Sequence, residues 1–340
     1  MINTQRIFSL AALIISVGYL PAQTSKETSF DKNKIYSKSY NVSNSDKIKF
    51  TNSFGEMKIS TWEKNEVKVD VSISSKATSD ARAQEILDGI TIEDGKNGGE
   101  VFFKTHFKKD DKKWNGDYNQ HDNNNKEEHG KYNNESFKVN YTVYMPASNK
   151  LEASNSFGAM IIADYSGPVM LESKFGSLTA GTLLQSESVD VEFGSGTVEG
   201  INGGKLAVKY SRADIKKVSG SIDADLQFSS VRLKIENSVK KLEINNSYTQ
   251  VMLDVDNGFS ATYDIKTSFG SFNNKTDFTI KDDSKEREHN YGPGTNRNYS
   301  GKSGSGEASV RIKSSFGGIT MGHNLPFDVN DKSHHKTARV

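Results

Sequence analysis

Along residues 151 to 323, apolar and polar positions alternate in short runs that restart after an aromatic residue. Aligned on that aromatic, Phe54, Phe157, Phe175, Phe193, Tyr210, Phe228, Tyr248, Phe269 and Phe316 form one column. From Phe157 to Tyr248 the steps are 18, 18, 17, 18 and 20 residues, and a further 21 reach Phe269. A recurring unit of that size points to stacked repeats. Four residues before the aromatic stand Phe50, Ala153, Leu171, Val189, Leu206, Ala224, Ile244, Ile265 and Ile312, all apolar. Three and five residues after it the column is again apolar, except at Gly196 and Asn274.

Side chains alternate along a strand, so positions two and four before the aromatic share its face. Positions three and five after it return to that face only if the chain turns just past the aromatic. Gly55, Gly158, Gly176, Gly194, Gly270 and Gly317 stand there, replaced by Ser211, Ser229 and Thr249 in the middle repeats. Glycine suits such a corner because it tolerates positive φ. Each unit is therefore expected to be strand, corner, strand and polar turn, too small to bury its own apolar face until neighbours stack on it. The aromatics are expected to form an interior column, in which Phe193→Asp would bury an unpaired charge. Asn155, Ser173, Asn246, Thr267 and Ser314, two residues before the aromatic, are expected to point inward and bond between repeats. The segments LEINNSYTQVMLDV and VDVEFGSGTVEGI favour strands over helices, being alternating and rich in β-branched residues. The fold class expected is all-β, a single-stranded parallel β-helix or β-solenoid, with a β-sandwich as the competitor.

Ahead of the repeats, residues 35 to 76 carry three alternating segments, and Ser79 or Asp80 can cap a short helix over 81 to 87. With strands near 90 to 107 and 137 to 144, the region 23–150 reads as a β-rich N-terminal cap. Two polar insertions break the pattern, at about 108–135 and 281–306, both with the composition of exposed loops. The repeats span 151–323, and 324–340 form a C-terminal tail.

Composition narrows the class. Hydrophobic residues make up 34% of the 340, charged residues 26%, and there are 28 glycines and 5 prolines, which suits a thin core wrapped by many short strands. Lys plus Arg is 44 against 43 Asp plus Glu, a balance that gives no basic face for nucleic acid. Arg6 followed by the apolar run from Ile7 to Leu20 and by Pro21-Ala22-Gln23 reads as a signal peptide over 1–22. The expected location is the periplasm, the outer-membrane surface or outside the cell, with no transmembrane anchor in the mature chain. The sequence holds no cysteine, which excludes a disulfide framework, and a lipoprotein anchor is not expected.

Candidate chemistry is sparse. Gly301-Lys302-Ser303 ends like a phosphate-binding loop, but Asn296 stands where that motif needs its first glycine. His121 and His129 lie near Asp122, Glu127 and Glu128, and His334 adjoins His335, all in segments without the fixed shell a metal requires. No metal, cofactor or catalytic residue is expected. Asp190, Asp214, Asp225 and Asp254 belong to repeat units and read as solvent-facing strand positions rather than as an acid and base pair. Trp114, Tyr118 and Tyr132, in the first insertion, are the candidate binding residues, since exposed loop aromatics supply contact area.

The stretch TNSFGEMKISTWEKNEVKVDVSISSKA, the helix ending EILDGI, and the later SNSFGAM, ESKFGSL, KTSFGSF and KSSFGGI resemble the exported bacterial "putative adhesin" family of cell-envelope proteins. The resemblance covers most of the mature chain and leaves the two insertions outside. It implies a β-solenoid, usually described as right-handed, an envelope or surface location, and no established catalytic residues. The expected function is accordingly a non-enzymatic surface protein that binds a glycan or protein. An envelope-stress accessory protein and a glycan-active β-helix enzyme are the alternatives.

Overall fold

The computed structural model describes residues 29–108, 135–284 and 295–327. Residues 1–22, read above as a signal peptide, most of the first polar insertion with Trp114, Tyr118 and Tyr132, and all four of the histidines named above lie outside the described residues. The described chain is all-β with one helix, and its strands belong to one open sheet that is not closed into a barrel.

The N-terminal region supplies β1 (Phe30–Asn41), β2 (Lys47–Ser53), β3 (Met57–Thr61), β4 (Glu66–Ala77), α1 (Asp80–Asp88), β5 (Ile90–Asn97), β6 (Glu100–Phe107) and β7 (Ser136–Met145). Ser79 caps α1 by accepting from the Arg82 N–H at 3.2 Å, and Ala83 with Leu87 forms its buried side. Here parallel and antiparallel pairing meet. β2 and β3 run parallel to β6 and β7, while β4 closes antiparallel on β7 and β1 antiparallel on β4. Lys32, Lys34 and Lys38 on β1 put charge along the outer strand, a device that discourages edge-to-edge pairing.

The repeats follow as β8 (Lys150–Ser156), β9 (Ala159–Ile162), β10 (Tyr165–Lys174), β11 (Ser177–Glu192), β12 (Ser195–Lys209), β13 (Arg212–Gln227), β14 (Ser230–Ser247) and β15 (Gln250–Val255). Each repeat pairs in parallel with the next, one repeat further along the chain. The register is the one the apolar columns require. Phe50, Ala153, Leu171, Val189, Leu206, Ala224 and Ile244 are consecutive partners, and all are buried. Met160, Leu178, Gly196, Ala213, Val231 and Val251 form the matching row past the aromatic. A parallel stack buried in this way explains why so little apolar residue suffices: each side chain is covered by its own repeat and by two neighbours.

At the far end the chain leaves sequence order. It continues as β16 (Ala261–Ser268), β17 (Ser271–Asn274), β18 (Thr279–Asp282), β19 (Asn296–Ser303), β20 (Ala308–Ser315) and β21 (Gly318–Gly322). β20 pairs in parallel with β14 on one side and β16 on the other, so the Phe316 repeat is inserted between those of Tyr248 and Phe269. β19 then closes antiparallel on β16. Residues 296 to 303, assigned by composition to the second polar insertion, are thus a strand. The polar exception Asn274 falls in this outermost repeat, where its side chain donates to the Phe278 carbonyl at 2.9 Å.

Corner geometry departs from expectation in one decisive respect. Positive φ belongs to the aromatic residue itself, between 49° and 65° at all nine positions, and not to the glycine after it. Glycine is required for closeness instead. A Cβ on Gly176 would lie 1.9 Å from the Gly158 carbonyl oxygen, and one on Gly194 1.9 Å from that of Gly176. Where the repeat carries Ser or Thr, the side chain replaces that close approach with hydrogen bonds. The Ser211 hydroxyl donates to the Lys209 carbonyl at 2.7 Å and accepts from the Gly194 N–H at 3.0 Å, and the Ser229 and Thr249 hydroxyls accept likewise from Ser211 and Ser229.

The inward polar positions share this work. Asn52 donates to the Asn155 side chain at 3.0 Å, Asn155 to the Gly55 carbonyl at 3.0 Å, and Asn246 to the Ser314 hydroxyl at 2.8 Å. In the middle repeats, where Ser211 and Ser229 bond the corner, the same inward position is apolar, as Val208 and Leu226. Ser173 is buried, and its hydroxyl has no partner among the described residues. Ser211→Ala should therefore cost about 1.5 kcal/mol by leaving the Gly194 N–H unpaired, whereas Ser173→Ala should change stability by under about 0.5 kcal/mol. Chemical denaturation of the two variants checks the contrast.

Candidate aromatic docking face

A residue at positive φ breaks the strand alternation that would carry its side chain inward. The nine aromatics consequently leave the core. From Phe157 to Phe316 their exposure lies between 47% and 59%, which corrects the interior column expected from the sequence. They still form a column, on the outer corner of the stack. Ring centroids recur at 4.8 to 5.0 Å with interplanar angles of 2° to 5°, in the order Phe54, Phe157, Phe175, Phe193, Tyr210, Phe228, Tyr248, Phe316 and Phe269. The spacing is that of neighbouring strands, and nine rings give a ridge about 38 Å long.

Left-handed backbone costs a non-glycine residue about 1 to 2 kcal/mol. Stacking returns a comparable amount per ring pair, about 0.5 to 1.5 kcal/mol. Because every inner ring lies between two parallel neighbours, its faces are covered and its edge is turned to solvent. Past the corner the row beside the ridge is small at Ala159, Ser177, Ser195 and Ser230 and is interrupted by Arg212 and Gln250. On the other side Lys174, Glu192 and Lys209 form a short charged row, with Lys209 3.4 Å from Glu192. Half of the 150 to 250 Å² that such a side chain carries, over eight rings, is on the order of 800 Å² of contiguous apolar surface. That exceeds the roughly 300 to 600 Å² of the largest patch on an ordinary monomer.

The two ends of the ridge differ. Phe54 meets Phe107 and Phe137 edge-on, at 5.6 and 5.1 Å. β6 stops at Phe107 and β7 begins at Ser136, so the first insertion leaves the fold at this end. At the other end Phe269 donates its N–H to the Thr295 carbonyl at 2.8 Å, beside the point where the second insertion rejoins the fold.

The four aspartates do not converge. Asp214 is buried and held by both guanidinium arms of Arg232 at 2.8 Å, and Asp254 is buried and accepts from the Leu325 N–H at 3.3 Å. Both depart from the solvent-facing positions expected of them, because the segment from Leu325 to Phe327 crosses this side of the stack. The Arg232 guanidinium also donates to the Leu325 carbonyl, and the Phe327 ring lies under Arg212 at 4.6 Å and Arg232 at 5.8 Å. Sequence reasoning assigned these residues to a tail, and no periodic signal marks them. Asp225 accepts from Gln227 on its own strand. Asp190 is half-buried, and burial, followed by the nearby Glu192 carboxylate, pushes its carboxyl above the usual range. Asp190 and Asp225 stand two repeats apart in register, through Ala207.

Gly301, Lys302 and Ser303 lie within β19 and not in a loop opening a helix, so the context a phosphate-binding loop needs is missing. Among the described residues no group of three His, Asp or Glu side chains is placed to hold a metal ion. No described helix is long and apolar enough to cross a membrane.

No protein-family model matches the chain, and no curated protein matches it. Solved structures with a similar course include a "putative cell adhesion protein" from Clostridium sporogenes, 12% identical, covering 86% of this chain and 100% of that one at a TM-score of 0.26. A "putative adhesin" from Parabacteroides distasonis is 11% identical, covering 85% and 97% at a TM-score of 0.36. A "putative lipid binding protein" from the same organism is 14% identical, covering 85% and 96% at a TM-score of 0.32. At such scores these likenesses carry no argument about what this chain does.

Proposed function

We propose that this chain is a non-enzymatic binding module of the cell envelope or surface, built as a β-solenoid, and that the aromatic ridge is its contact face. Support for the solenoid comes from the parallel, in-register advance of one repeat per strand and from both ends being finished by antiparallel strands. Export follows the reading of residues 1–22 as a signal peptide. The observation that carries the binding role is the ridge itself: nine aromatics held at positive φ and stacked on one another, the eight from Phe157 to Phe316 about half exposed. A fold that needed only burial would place these rings inside or replace them with glycine at that φ.

The test is binding of the full chain to intact bacterial cells and to purified envelope glycans, compared with a ridge variant carrying Phe175→Ser, Phe193→Ser and Tyr210→Ser. At least tenfold weaker binding by a variant that keeps its β-sheet circular dichroism is the expected result. Equal binding by the two proteins would remove the ridge from the contact. Deleting residues 109 to 134 separates the part played by Trp114, Tyr118 and Tyr132, and binding retained after that deletion assigns the contact to the ridge.

A further inference from the structure

Resting on the reading of the ridge as a contact face, we propose that its occupant is the surface of a bilayer of zwitterionic phospholipid. The stack lies along that surface, with the ring edges at the boundary between headgroups and acyl chains. The line of the ridge, the orientation of its rings and the residues beside it lead there.

The ridge runs along the stack. Neighbouring strands stand about 4.7 to 4.9 Å apart, and the ring centroids recur at 4.8 to 5.0 Å, so each step is axial rise with little sideways displacement. The rings therefore keep to one side of the stack instead of winding round it. A flat, extended surface can meet all of them at once.

Each inner ring has both faces against a parallel neighbour, as Phe193 has between Phe175 and Tyr210 at 4.8 Å. Sugars and cations are held by the electron-rich face of an aromatic ring, and no inner face is open to them. What remains is the C–H edge. It offers apolar area without a directional partner, and the strength of an interfacial lipid contact scales with buried apolar area. Tyr210 and Tyr248, half exposed, bring hydroxyls to the same line, and rings of that amphipathic kind gather at headgroup level.

Beside the rings the surface is polar without a surplus of one sign. One residue before and two after the rings from Phe157 to Phe316, serine is the commonest residue, and its hydroxyl can donate to phosphate and ester oxygens. The charged exceptions are Lys174, Glu192, Lys209 and Arg212. Glu192 lies 3.7 Å from Lys174 and 3.4 Å from Lys209, and Arg212 packs on the Phe327 ring at 4.6 Å. Recognition of anionic lipid uses clusters of about four to eight Lys or Arg, which this border lacks. A headgroup that carries both signs is its complement.

Co-sedimentation of the full chain with phosphatidylcholine vesicles tests the proposal, using the triple ridge variant described above and the single variant Phe193→Gly. The wild type is expected to bind, the triple variant at least tenfold more weakly and Phe193→Gly at least twofold more weakly. Raising sodium chloride from about 50 to about 500 mM should change the wild-type affinity by less than about twofold, since the contact is apolar. A wild type that leaves the vesicles in suspension overturns the proposal, as does vesicle binding that both variants retain. Binding abolished by the higher salt overturns it too, by making the contact one of charge. Should vesicles fail to bind while the ridge variant loses cell or glycan binding, the contact face stands and only the lipid surface falls. Cell, glycan and vesicle binding all unchanged in the ridge variant removes both.

Discussion

Gly194→Ala should destabilise the protein by about 3 kcal/mol or more, although it adds a single methyl group. The added Cβ would lie 1.9 Å from the Gly176 carbonyl oxygen and 3.0 Å from its carbonyl carbon, so no rotamer relieves the clash. Backbone must move, and the backbone in question is fixed on both sides. Ser195 donates its N–H to Gly176, and Arg212 donates to Gly194, both at 3.1 Å. Separating the two repeats at the corner also parts the Phe175 and Phe193 rings, which are 4.8 Å apart. The control is Ser211→Gly at the equivalent corner of the Tyr210 repeat. It introduces no clash, loses the hydroxyl that accepts from Gly194, and should cost only about 1 to 2 kcal/mol. Urea denaturation of the two variants reads the difference. Should Gly194→Ala prove as mild as Ser211→Gly, the close approach of consecutive corners is not what selects glycine there.

Both variants act on a feature that the sequence displayed but did not explain. The repeat period, the two apolar rows and their register were legible because burial restricts those positions to apolar residues, and a strict spacing survives only where strands pair in register. The helix was legible through its cap, for which the sequence offered Ser79 or Asp80 and the structure uses Ser79. The side on which the aromatics lie was not, because strand alternation, which holds for Ala153 and Asn155, stops at a residue of positive φ. One signal was available. The neighbouring core rows mix Ala, Val, Leu, Ile and Met, as buried positions do, whereas the corner row holds only Phe and Tyr. A position that never accepts an aliphatic residue is selected for ring stacking, and Tyr210 and Tyr248 place hydroxyls there that an apolar interior would leave unpaired.

The insertion of the Phe316 repeat between those of Tyr248 and Phe269 was equally hidden. Its apolar rows fit either neighbour, and nothing in a period records spatial order. The burial of Asp214 and Asp254 depends on the segment near Phe327, which lies outside the periodic pattern and crosses the stack through Arg232.

Phe193 gives the second large effect, and three substitutions there separate an outer ridge from an inner column. Phe193→Ala removes two stacked contacts, to Phe175 and Tyr210 at 4.8 Å each, together with the buried half of the ring. The stacking is worth about 0.5 to 1.5 kcal/mol per pair, and the half-burial adds roughly 1 kcal/mol, so a loss near 3 kcal/mol is expected. Alanine keeps the penalty of a φ of 54°. Phe193→Gly releases that penalty, about 1 to 2 kcal/mol, against the 0.5 to 1 kcal/mol that glycine costs through its freer unfolded chain. The glycine variant should therefore be the more stable of the two by about 0.5 to 1 kcal/mol, the reverse of their order inside an ordinary strand. Phe193→Asp should resemble alanine, since its carboxylate reaches water at the corner, whereas in an interior column the buried charge would abolish folding. Urea midpoints, measured at protein concentrations low enough that self-association does not contribute, supply the ranking. An aspartate variant that fails to fold, or an alanine variant more stable than glycine, would return the ring to the core and take the contact face with it.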